Sequence, residues 1–550
     1  LPSHDFPVVK ADVLEFGAMG DGVTDDTVAF QKAIDKLFKI GGGTLWVPTG
    51  RYAFYGNLVI KPNVVIRGEW ANPSKNDFKT QGTTFLVYNG KGSEEGGAFI
   101  TMYPVTGLQS INFWYPEQGL GGEVIAYPPT IQNRLGYDLN NNVTIENVTF
   151  VNSWRAITIG PDQNTLWTIR NVNGFPLKTG IEIDDTMDVG RMHCIDFRPN
   201  YWSDSDLEGS PSKESKAIQW VYENGTGIRI RKHDFVSYAN FRLRGYAIGL
   251  AGDHLGSGGD VEERMKEFGN NFFQGHFYDV DIADCKVAVK IKALLSIGVY
   301  FSGSSLFGDE CGVLIEESEI HPVGFVECSI GGKEYSVNNK GKVYLSLTAC
   351  KIKGFMHNNG GSLSILDCEF TSDKEYHLEL GEAMDIARLN MVQSNNQFRL
   401  KNHASEEKVQ LVRDRSKSVE RIDPLYRHKT FHDIEGLRPG ERNLIVYDGK
   451  PGPVDDGSED HTRRAQVYLN QLEEMGGGIL FFPAGFYSFY GSLNVPSKVE
   501  LRGVIDTPIH AARPGTTFNV LCNEGNELDT AFINLNQKSG LKGISFNYPD

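Results

Sequence analysis

The chain has 550 residues, 40% of them hydrophobic, which is too long for one ordinary core and calls for several domains or an elongated repeat. Its 54 basic and 70 acidic residues leave a net charge of −16, which works against a nucleic-acid partner and against anionic membrane surfaces. Nothing approaches the roughly 18 consecutive apolar residues of a membrane span, and seven cysteines without a C-x-x-C pair indicate neither a disulfide framework nor a zinc site.

The chain opens Leu1-Pro2-Ser3-His4, without Met or an apolar signal core, as expected of a processed protein that is secreted or periplasmic. Asp25 can cap a helix whose Ala29, Ala33, Ile34 and Leu37 share one face, and Gly41-Gly42-Gly43 stops it. LWVP, AFYGNLVI and VVIRG are then short β-rich runs separated by Gly, Pro and Asn. TIENVTF, TLWTIRNVN and GRMHCIDFR recur about 24 residues apart, with AITIG and GIEIDD interleaved, which is the length of a coil of three short strands and three turns. The expected fold is all-β: a parallel β-helix over residues 1–370 with an N-terminal capping helix. Cys285, Cys328, Cys350 and Cys368 sit in similar short patterns, as small buried side chains stacked on successive coils would.

Residues 371–442 turn charged and low in apolar side chains and read as a connecting segment with a few strands of its own. Residues 443–550 then repeat the beginning. The stretch ending at Gly503 matches the one ending at Gly68 without a gap, 435 residues apart, so that Asp21 corresponds to Asp456, Pro48 to Pro483, Tyr52 to Tyr487 and Tyr55 to Tyr490. A solenoid needs about three stacked repeats to bury a core, so this second β-helix start is expected to be incomplete or to pack against the first.

The GDGVTDD start, the GGG-x-L-x-x-P-x-G-x-Y element and the coils after it resemble the pectate-lyase-like superfamily of right-handed parallel β-helices. Two tandem starts in one chain are similar to glycoside hydrolase family 55 within it. The resemblance covers about residues 12–370 and 443–550. It implies two β-helices side by side and inverting cleavage of β-1,3-glucans from a chain end, with a catalytic acid on the second helix for which no position here has a counterpart. The start motif is specific for fold and not for chemistry, because the scaffold carries hydrolases, lyases and phage tailspikes.

The best candidate chemistry lies in residues 180–202. If Ile181 and Ile183 point into the coil, Glu182 and Asp184 face outward with Asp185 at the turn, and Asp188 and Arg191 follow within a few residues. Tyr201 and Trp202 supply rings of the kind that stack on sugars. Carboxylates serve a glycosidase as proton donor and as activator of water, which makes Asp184, Asp185 and Asp188 the candidate catalytic groups and Arg191, Tyr201 and Trp202 candidate substrate contacts. The competing reading is a surface turn in which the carboxylates cap backbone amides and Arg191 pairs with one of them. A second cluster, residues 227–235, places Arg229 and Arg231 outward with His233 and Asp234 at the strand end, suited to an anionic sugar or to an external ladder paired with neighbouring acids. The acidic stretch around Asp309, Glu310 and Glu316 reads as a solvated face. No P-loop, dinucleotide fingerprint or metal-ligand pattern calls for a cofactor.

Three functions follow, all with a polysaccharide or oligosaccharide as partner: a glycoside hydrolase using paired carboxylates, a lyase on a uronic-acid polymer in which Arg229 and Arg231 serve, and a non-catalytic carbohydrate-binding or tailspike-like protein. A lyase removes a proton beside a carboxylate and leaves an unsaturated product, whereas a hydrolase leaves only a new reducing end. The sequence leaves the oligomeric state open.

Overall fold

One inward-facing apolar residue at each coil interval is enough to stack strands on their own successors. The computed structural model describes residues 10–71, 81–134, 142–161, 164–186, 189–234, 236–254, 273–316, 320–390, 392–394, 397–412, 443–452, 459–504, 515–523, 525 and 530–549. Within them the chain is all-β, and its ladders are parallel. In the first sheet Ile157, Ile181, Ile228, Leu250, Val289, Val313 and Val337 stand in register, all buried. A second sheet aligns Ile145, Ile169, Met192, Tyr238, Phe277, Phe301, Phe325 and Leu347. A third aligns Val148, Val172, Ile195, Phe241 and Val280. Between the second and third sheets the chain bends through a left-handed residue at the same place in each coil.

That bend carries Asn147, Asn171, Cys194 and Asn240, with φ of 55°, 53°, 59° and 59°. Asn tolerates this conformation because its short polar side chain bonds locally, and most other residues do not. Asn171 Nδ2 donates to Asn147 Oδ1 at 3.0 Å, but Cys194 breaks the ladder. Asn240 Nδ2 reaches only its Sγ at 3.9 Å, and the buried Asn171 Oδ1 has no hydrogen-bond partner. Cys194→Asn supplies a donor to Asn171 and an acceptor to Asn240 while relieving the backbone. It is expected to stabilise the protein by about 1 kcal/mol, read as a higher denaturant midpoint at unchanged slope.

The capping helix spans Thr27–Lys39 and buries Ala29, Phe30, Ala33, Ile34 and Leu37. Asp25 Oδ1 accepts from the Thr27 amide at 3.0 Å and from the Tyr55 amide at 3.4 Å, tying the helix start to the strand Gly50–Phe54. Asp460 does the same for the helix Thr462–Glu474 through the Thr462 and Tyr490 amides. The duplicated cores exchange one large ring between helix and strand. In the first copy the Phe30 ring, on the helix, stands edge-on to Tyr52, Phe54 and Phe85. In the second its place on the helix is taken by Ala465, and Phe482, on the strand side, reaches the equivalent rings of Tyr487, Phe489 and Phe518. The slot is filled either way, because packing depends on volume and not on which element supplies it.

The second copy packs against the first. Ile479, Phe481 and Val504 form one apolar cluster with Val105, and Pro483 lies against Gly41, where an added Cβ would sit 3.4 Å from it. The first stack passes the residue-370 boundary drawn from sequence. Phe370 pairs with Ser394, Leu378 with Leu400 and Ala387 with Val409, so the described part of segment 371–442 extends that ladder to Val412. Leu378, Leu380, Met384, Ala387 and Leu389 stay buried while the outward positions turn polar, which is why the composition changes and the coil does not. Cys285, Cys328, Cys350 and Cys368 are buried free thiols, and the Cys328, Cys350 and Cys368 thiols donate to the Phe301, Phe325 and Leu347 carbonyls.

Candidate functional site

The strands Thr179–Ile183, Thr226–Ile230 and Ile248–Gly252 lie side by side in the first sheet. With Ile181 and Ile228 inward, Glu182 and Arg229 face out as neighbours in register, as alternation requires. The turns that leave these strands stack in the same order. Arg231 N bonds Ile183 O at 2.9 Å and Asp253 N bonds Ile230 O at 2.9 Å, which places Asp184, Arg231 and Asp253 in a second row.

The carboxylate pair does not open onto a groove. Asp184 and Asp185 are 5% and 2% exposed, because the turn is folded under its neighbours. Asp184 N bonds Ile159 O at 2.9 Å, and Asp185, at φ 51°, accepts through its carbonyl from Asn164 N at 3.3 Å. Lys232 Nζ stands 2.7 Å from Asp185 Oδ1 with both side chains buried, and Thr186 N bonds Lys232 O at 3.1 Å. The pair is the inner contact between two successive turns. Asp188 lies outside the described residues.

Tyr201 and Trp202 depart from the expectation of sugar-stacking rings. They are 5% and 1% exposed, in the short helix Asn200–Ser203, one full strand (Gly190–Phe197) beyond the Asp185 turn. Tyr201 Oη donates to Asp196 Oδ2 at 2.9 Å, Arg198 forks onto both Asp196 oxygens at 2.7 Å, and burial pushes the Tyr201 phenol far above its usual range. The Trp202 ring lies against Gly119, where a Cβ would come within 2.7 Å of it. These rings seal a corner of the stack. Arg191 sits on the second sheet between Thr168 and Ser237, half-buried.

The arginines of the second cluster are half-buried and ion-paired. Arg231 Nε donates to Glu182 Oε1 at 2.8 Å and Nη1 to His254 O; Arg229 Nη2 donates to Thr226 Oγ1 at 3.3 Å, with Asp253 Oδ2 at 3.8 Å from Nε. Asp234 accepts from Gln274 Nε2 at 3.1 Å. His233 is fully buried between the Arg231 and Gln274 carbonyls, 3.0 and 2.9 Å from its ring nitrogens. Burial pushes its pKa down against the pull of those two carbonyls, and the ring braces one coil against the next.

The same two outward rows continue into Lys290, Lys292 and Lys340, which sequence reading passed over, and into Glu316, read from sequence as part of a solvated face. Lys290 and Leu314 extend the first row, Lys292, Glu316 and Lys340 the second. Glu316 lies 3.0 Å from Lys290, 3.6 Å from Lys292 and 3.8 Å from Lys340. Burial opposes its charge, but the Lys290 hydrogen bond and the three ammonium groups hold its pKa below the usual range. The signal was present as a charged residue directly after each inward apolar or glycine position: Ile230-Arg231, Gly252-Asp253, Ile291-Lys292, Ile315-Glu316. Among the described residues no group of three His, Cys, Asp or Glu is placed to hold a metal ion, and no helix is long and apolar enough to cross a membrane.

Parts of this chain are similar to known proteins. Residues 11–115 match the family described as rhamnogalacturonase A/epimerase, pectate lyase-like. Alginate lyase 7 of Azotobacter vinelandii is 52% identical over 67 residues, 11% of this chain and 8% of that protein. Plasmin and fibronectin-binding protein A of Streptococcus pneumoniae is 27% identical over 173 residues, 30% of this chain and 24% of that one. The chain thus aligns with less than a tenth of the lyase and about a quarter of the adhesin. Among solved structures, the A-module of mannuronan C-5 epimerase AlgE6 of A. vinelandii superposes with a TM-score of 0.39 at 15% identity, over 74% of this chain and 98% of that one.

Proposed function

We propose that this chain is a secreted or periplasmic enzyme built on a right-handed parallel β-helix, and that it acts on a polysaccharide containing uronic acids held across the outer face of the first sheet. The observation that carries the reading is the outward cluster of Arg229, Arg231, Lys290 and Lys292, half-buried on two adjacent rows and held beside Glu182, Asp253 and Glu316, on a protein of net charge −16. A uronate lyase or epimerase must first neutralise the substrate carboxylate so that the neighbouring proton can leave. Arg229 and Arg231 serve that purpose. His254, exposed in the turn that packs on Arg231, is the imidazole placed nearest these arginines to take the proton. The relatives named for alginate and mannuronan support a uronan substrate.

Incubation with alginate and polygalacturonate separates the chemistries. A lyase yields an ultraviolet-absorbing unsaturated product, and an epimerase changes the uronate composition without new chain ends. Arg231→Ala is expected to lower kcat/KM about 10- to 100-fold, the worth of a lost hydrogen bond to a charged group. Full activity of this variant on a substrate the parent processes sinks the reading. The packing of the second copy on the first favours a second reading, the hydrolase of the family 55 type. That reading predicts new reducing ends without ultraviolet absorbance.

A further inference from the structure

The outer face of the second sheet is chemically unlike that of the first. From the strand Val236–Leu243 to the strand Met356–Leu366 its two outward rows read Ser237, His276, Tyr300, Gly324, Ser346, Ser364 and Ala239, Tyr278, Ser302, Val326, Thr348, Leu366. Neither row contains Asp, Glu, Lys or Arg over these coils, in a chain that is 23% charged. Tyr344, paired with Pro322 at the strand starts, extends the face. Tyr278 and Tyr344 are 49% and 51% exposed, where core-forming rings of this protein are buried.

The rings are arranged as a platform. His276 and Tyr300 are stacked at 5.0 Å with 29° between planes, and His276 and Tyr278 at 6.3 Å with 24°. Gly324 lets Tyr300 lie down along the sheet, because a Cβ there would come within 2.5 Å of Tyr300 Cδ1. Nearly parallel, solvent-facing rings beside serine and threonine hydroxyls offer an apolar face and short-range donors and acceptors. A pyranose presents the complementary pair, an apolar C–H face and a rim of hydroxyls. Along these two rows a uronate would meet hydroxyls and rings, with cations only at the border, where Arg191 stands beside Ser237, Arg388 beside Ser364 and Lys342 two residues before Tyr344.

We infer that the second sheet carries a binding platform for an uncharged polysaccharide, built on His276, Tyr278, Tyr300 and Tyr344 and separate from the charged face of the first sheet. It goes beyond the proposed activity and does not require it, since the residues and the ligand charge differ. It would hold the protein on a neutral glycan matrix while the first sheet works on another chain.

Native affinity electrophoresis of the full chain in gels containing laminarin, hydroxyethylcellulose or alginate tests this. The parent is expected to be retarded by at least one of the two neutral glucans. Tyr278→Ser combined with Tyr344→Ser, both exposed positions, should weaken that retardation about tenfold while leaving any retardation by alginate unchanged. Gly324→Ala keeps every ring but forces Tyr300 off the sheet, and it should weaken the neutral glucans likewise; thermal midpoints report that each variant is folded. Arg231→Ala, which tests the first sheet, should leave neutral-glucan retardation intact. Absence of retardation by both neutral glucans, or retardation that survives in both the tyrosine and the glycine variants, overturns the platform without touching the proposal for the first sheet.

Discussion

Replacing Lys232 with Met is expected to cost about 3–5 kcal/mol of stability, because it leaves the Asp185 carboxylate buried without its partner. The pair joins two successive turns, with the Thr186 amide on the Lys232 carbonyl closing the same contact, so the loss falls on the coil-to-coil interface and not on one strand. A double variant, Lys232→Met with Asp185→Asn, removes both charges and should recover a large part of the loss. Urea denaturation of the four proteins in the cycle measures this directly. If the two single changes add without coupling, the ion pair is not what fastens these turns. The cycle also bears on function. A carboxylate that holds two turns together inside the protein is a poor general acid for an external substrate, so Asp185→Asn should register in stability whether or not it registers in turnover.

Ala33→Asp is expected to have an effect of similar size, several kcal/mol on the order of an unpaired buried charge. Ala33 is 0% exposed on the helix Thr27–Lys39, beside Phe30 and Ile34, and that face lies on the first coil through Phe30 against Tyr52, Phe54 and Phe85. A carboxylate at this position meets only apolar atoms or forces the helix off the end of the stack, which uncovers the first coil. Thermal unfolding of the variant, set beside Ala33→Ser as a small polar control, reads the difference. An unchanged midpoint for Ala33→Asp would mean that the helix does not cap the solenoid.

Much of the architecture follows from residue order alone. The inward Ile, Val, Leu and Phe recur once per coil, and period-two alternation fixes which neighbours face out, so Glu182 and Arg229 are outward in the sequence and in the structure alike. The duplication needed only comparison of the chain with itself, and it brought the helix cap and the Asp25–Asp460 equivalence with it. The end of the stack was harder to see, because the outward positions after Phe370 change character while Leu378, Leu380 and Leu389 keep the core.

What sequence could not decide is how the turns fold over one another. Alternation stops at a strand's end, and beyond it the burial of a side chain depends on the turns of the coils on either side, at distances in sequence that no local pattern encodes. Asp184 and Asp185 were therefore legible as carboxylates at a turn and not as buried ones, since Lys232 arrives from the next coil to pair with Asp185. Tyr201 and Trp202 were legible as aromatic and not as sealed, since Asp196 and Gly119 meet them from other parts of the fold. The rings of exposed His276 and Tyr278 and of half-buried Tyr300 come from neighbouring coils and form one surface only when parallel register sets those coils side by side. Composition and period determined the solenoid; the stacking of turns and outward rows decided which charges and rings face the solvent, because solvent exposure is a property of neighbours in space and not of neighbours in the chain.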